Sequence, residues 1–73
     1  MKPQTLMVAI QSVASEIKSL DLLLEAGQVE DEAETEELLV SYDLALEDLK
    51  EAYESALKEF SGLPNYEKLL SSI

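Results

Sequence analysis

From Leu39 to Phe60, apolar side chains recur at Leu39, Tyr42, Leu46, Leu49, Tyr53, Ala56 and Phe60. The steps alternate between three and four, which marks a heptad seam along one side of a long helix. The same alternation runs earlier through Leu6, Ile10, Val13, Ile17, Leu20 and Leu24. Ala9, Ala14 and Leu23 widen the first seam. Leu38, Ala45 and Ala52 flank the second on one side, and Leu57 flanks it on the other. A third pattern places Tyr66, Leu69, Leu70 and Ile73 at i, i+3, i+4 and i+7. A helix that short is not stable alone and must dock on its neighbours.

Punctuation between the patterns agrees with them. Pro3 suits a first helical turn, where its missing N–H would have no partner anyway, and Thr5 is a competing cap. Gly27 suits the left-handed residue that closes a helix, and Gly62 repeats the device. Residues 27–30 form a short connection, which sets neighbouring helices antiparallel. Asp31 with Glu34 three residues on reads as a capping box, and Asn65 reads as a cap for the last segment. Leu63 is placed to pack back on Leu57. The expected helices are about 3–26, 31–61 and 65–72.

These elements predict one all-α domain over residues 1–73, an antiparallel helical hairpin with a short third C-terminal helix. The second helix is the longer, so it overhangs the first, leaving Ala56, Leu57 and Phe60 to be covered by the third helix or by another chain. Both seams are wider than a two-helix contact hides. The expected solution is an antiparallel homodimer forming a four-helix bundle, with helices packed near +20°. A monomeric three-helix arrangement is the alternative.

Composition narrows the chemistry. A 73-residue chain without cysteine has no disulfide to support a small core, and without histidine it has no Cys/His zinc site. Sixteen carboxylates face five lysines and no arginine, for a net charge of −11. That balance opposes direct nucleic-acid binding and an anionic membrane surface, and it admits a larger or basic protein partner. No apolar run approaches the length of a membrane span, and no signal peptide is visible, so the cytoplasm is the expected compartment.

Six of the eight residues from Glu30 to Glu37 are acidic. A calcium loop would need a central glycine that is absent here, so the cluster reads as a solvated helix start favoured by the macrodipole. Val40 and Leu44 point away from the seam among Asp43, Glu47 and Glu51, and these five residues are the candidate partner-binding face. Lys50 and Lys58 are placed to offset part of the repulsion among these acids by pairing with Glu47 and Glu54. Tyr42, Tyr53 and Tyr66 lie at seam positions, where rings pack and hydroxyls reach the rim, and Asp21 marks the edge of the first seam. No nucleophile–base arrangement, phosphate loop or cofactor motif is present, so neither catalysis nor a cofactor is expected. The function expected is that of a small acidic, non-catalytic interaction module or accessory subunit. An acidic nucleic-acid mimic that blocks a DNA- or RNA-binding protein is the alternative.

Leu24-Glu25-Ala26-Gly27, then Glu36-Glu37-Leu38 and a long apolar-periodic helix, resembles the layout of exonuclease VII small subunits. Those are short acidic helical hairpins with a Leu-Glu-x-Gly turn. The resemblance is one of layout, and no role is carried over from it. The chain departs from that family where the acidic segment Val29 to Thr35 replaces a proline-containing stretch.

Overall fold

A computed structural model describes all 73 residues. It contains three helices and no strand: α1 (Pro3–Glu25), α2 (Glu32–Glu59) and α3 (Tyr66–Ser71). α1 and α2 form the antiparallel hairpin, and α3 folds back against both. The molecule measures 44 × 20 × 15 Å, its long axis set by α2.

Each boundary has a local cause. α1 starts with Pro3 in its first turn and no side-chain cap, so Thr5 lies inside the helix. At its other end Gly27 takes φ +68°, its N–H donates to the Leu24 carbonyl, and the Gln28 N–H donates to Leu23. This pair of bonds is the Schellman closure. α2 starts where the Glu34 N–H donates to Oδ1 of Asp31 at 3.1 Å. The Thr35 hydroxyl adds a bond to the Asp31 carbonyl. Asn65 caps α3 in the same way, accepting from the Lys68 N–H at 2.8 Å.

α2 stops earlier than its apolar pattern suggests. Phe60 is expected to be the last seam residue, but it sits in extended conformation (φ −119°, ψ 132°) and is 48% exposed. The chain must turn sharply here to bring α3 back. Gly62 at φ +84° makes that turn, and Pro64 disfavours helix at Leu63. Phe60 is the seam position lost to the reversal. Gly62 therefore lies in the loop and not at the residue closing the helix.

The core is small and off-centre. Leu6, Ile10, Tyr53 and Leu69 form one buried cluster, joined by half-buried Met7, Leu46, Leu49, Ala56, Leu57, Leu63, Tyr66 and Leu70. α3 thus covers Ala56 and Leu57 of the overhang, with Leu69 as its buried anchor, and leaves Phe60 open. Ala14 is the only other buried residue, and none is buried from Ser15 to Ala52. Along that stretch Ile17, Leu20, Leu24, Leu39 and Tyr42 are only half-covered. The two seams do meet, but towards the Gly27 turn the hairpin is a pair of helices with nothing over it.

Candidate protein-binding face

The five residues of the candidate face are brought together. Val40, Asp43, Leu44, Glu47 and Glu51 all lie on α2 and all are exposed. Their spacing of three, one, three and four sets them along one ridge, opposite the seam that packs on α1. Val40 is 58% exposed and Leu44 is 60% exposed, among the most open of the large apolar side chains. The two are one helical turn apart, with carboxylates above, between and below them.

The helix that carries the ridge is hydrogen-bonded at both ends. The Asp31 cap holds the first turn, and the Phe60 N–H to Ala56 carbonyl bond closes the last. In the middle the Ser41 hydroxyl bonds back to the Glu37 carbonyl at 3.3 Å. Behind the C-terminal half, Tyr53 is fully buried and its hydroxyl donates to the Pro64 carbonyl. This corrects the expectation of a rim hydroxyl for Tyr53, whereas Tyr42 and Tyr66 are half-buried. Burial pushes the Tyr53 phenol above its ordinary value. It does the same for Tyr66, with a further push from the Glu54 carboxylate.

Lys50 is the nearest lysine to the ridge along α2, and it is drawn aside. Its Nζ stands 5.3 Å from the centre of the Tyr66 ring, a cation–π contact between α2 and α3. The acids of the ridge are left facing solvent. The Glu30–Glu37 carboxylates do not converge, and no group of three acidic residues is close enough to hold a metal ion. Beside them lie two open hollows that share Glu34 and Leu38, one lined also by Val29, Glu30, Asp31 and Thr35, the other by Glu37 and Ser41. No helix is long and apolar enough to cross a membrane.

Apolar spacing puts Leu22 on the far side of α1 and puts Leu23 and Leu38 beside the seams, yet all three are exposed near the Gly27 turn. The exposure of Leu23 and Leu38 follows from α3 covering only the other end of the hairpin, which apolar spacing alone does not reveal.

This arrangement offers a broad, charged, partly apolar surface and no enclosed pocket. A family model described as "T6SS, Immune protein Tsi2-like" matches residues 1–69. Over 70 residues the chain is 56% identical to "Immune protein Tsi2" of Pseudomonas aeruginosa strain PAO1. The alignment covers 96% of this chain and 91% of that protein. The likeness of the Leu24–Gly27 turn to exonuclease VII small subunits is therefore one of hairpin layout.

Proposed function

The chain belongs to the Tsi2-like family of T6SS immune proteins, and from that premise we propose that it confers immunity by binding a toxin protein stoichiometrically. The observation that carries this reading is the match to Immune protein Tsi2 along nearly the whole of both chains. The surface agrees with it: a helical ridge with exposed apolar residues and no enclosed site suits recognition of another protein. The toxin-contacting residues proposed are Val40, Asp43, Leu44, Glu47 and Glu51. The family lends no support to nucleic-acid mimicry.

A competition experiment tests the proposal. A strain lacking this gene is grown against its parent carrying an active T6SS. The deletion strain should lose viability, and expression of this chain should restore it. Equal survival with and without the chain would overturn the reading. The compartment proposed is the cytoplasm, tested by fractionation against a periplasmic marker.

The functional unit proposed is a homodimer that forms a four-helix bundle. Leu38, Ala45 and Ala52 recur every seven residues on one flank of α2, and all three are exposed. Leu57, on the opposite flank, packs into the core cluster that α3 covers. The open flank carries small side chains that let a second hairpin approach closely. A second copy there would also cover the half-buried row from Ile17 to Leu24. Sedimentation should return twice the chain mass, and monomer mass at micromolar concentration would refute it.

A further inference from the structure

The charge of this protein is confined to one part of it. From Ser19 to Leu49 the chain has eleven carboxylates and no lysine. The remainder, residues 1–18 and 50–73, has five carboxylates and five lysines. The whole net charge of −11 thus belongs to the lysine-free stretch, which wraps the Gly27 turn and runs up most of α2. Burial follows the opposite division. All five buried residues, Leu6, Ile10, Ala14, Tyr53 and Leu69, lie in the neutral remainder. The charged stretch holds Leu22, Leu23, Leu38, Val40 and Leu44, five large apolar residues left exposed.

Taking the toxin-binding reading as its basis, we infer that the partner's contact surface is cationic around an apolar recess, with Val40 and Leu44 seated in the recess and Asp43, Glu47 and Glu51 against its basic rim. Three occupants compete for this ridge, and charge decides among them. A second copy would set the same acids against one another, so self-association through this ridge is opposed. Nucleic acid and anionic lipid are repelled in the same way. A basic protein surface is attracted at long range and desolvates two apolar side chains on contact. The ridge has no competing cation of its own, because Lys50 is held over Tyr66. The neutral, packed part of the molecule anchors the ridge, and the charged part presents all of it except Glu51.

The test compares two sets of substitutions in the same competition assay. One set is Val40→Ser with Leu44→Ser. The other is Asp43→Asn, Glu47→Gln and Glu51→Gln. A control carries Glu59→Gln and Glu67→Gln, which remove acids from the neutral part. Circular dichroism establishes that each variant keeps its helix content and thermal midpoint. Each ridge set should lower survival by about tenfold or more, as expected for central interface residues, while the control protects like the parent chain. Full protection by either folded ridge set overturns the inference and leaves the immunity reading standing. Failure of the unaltered chain to protect overturns the immunity reading and this inference with it. A change in sedimentation confined to the ridge variants would assign the ridge to a second copy and overturn the inference also.

Discussion

The hydroxyl of Tyr53 donates a hydrogen bond of 2.5 Å to the carbonyl of Pro64, joining the middle of the core to the turn that launches α3. Tyr53 is 0% exposed, so its phenol would be an unsatisfied buried group without this acceptor. The bond therefore ties formation of the core to the path of the chain beyond Phe60. Gln11 adds a second tie, donating from Nε2 to the Leu69 carbonyl and the Ser72 hydroxyl.

Tyr53→Phe keeps the ring and removes the donor, leaving the Pro64 carbonyl unpaired in a part-buried position. The expected loss is about 1–2 kcal/mol of folding stability, with no change in helix content. Urea denaturation of the two proteins measures it. An unchanged midpoint would mean that water serves the carbonyl equally well.

The same tyrosines set an alkaline limit. In the unfolded chain a phenol ionises at its ordinary value of 10.0, whereas in the fold burial holds Tyr53 and Tyr66 neutral to higher pH. Their contribution is present in full below pH 10.0 and is lost as pH rises through the folded values. Ionisation also removes the proton that Tyr53 donates to Pro64. Thermal midpoints should fall above pH 10.0. The fall should be smaller in a Tyr53→Phe, Tyr66→Phe protein.

Gly27→Ala tests the turn. Gly27 has φ +68° and open space where a Cβ would stand, so the cost is backbone strain alone. The expected loss is about 1 kcal/mol, and Gly27→Asn should cost less because asparagine tolerates this conformation better. Equal losses for the two would point to a packing defect.

Much of this fold was legible in apolar spacing and caps. Asp31, Asn65 and Gly27 each perform the local task that their type and position imply, because caps depend on neighbours within a few residues. Phe60 was misread because its fate depends on where α3 must go, a long-range constraint invisible in a heptad. The ridge residues were legible as outward-facing, since they fall opposite an unbroken seam. Leu22, on the far side of the first seam, was legible in the same way, whereas the exposed Leu23 and Leu38 were not, because the extent of α3 coverage sets their exposure.

Ile10 and Leu46 together test whether a second chain covers the hairpin. Ile10 is 0% exposed within one chain, so Ile10→Ala should cost about 2–5 kcal/mol as a buried large-to-small change. Leu46 is only half-buried within one chain, and Leu44 is mostly exposed. If the chain acts alone, Leu46→Ala should cost clearly less than Ile10→Ala, and Leu44→Ala should fall within about 0.5 kcal/mol of the parent. If a second hairpin packs on the open flank, Leu46 gains burial from it. Its substitution should then cost about as much as Ile10→Ala, and the melting midpoint should rise with protein concentration, because association stabilises by mass action. A concentration-independent midpoint with a small Leu46 effect would leave the α3-covered core as the sole support of the fold.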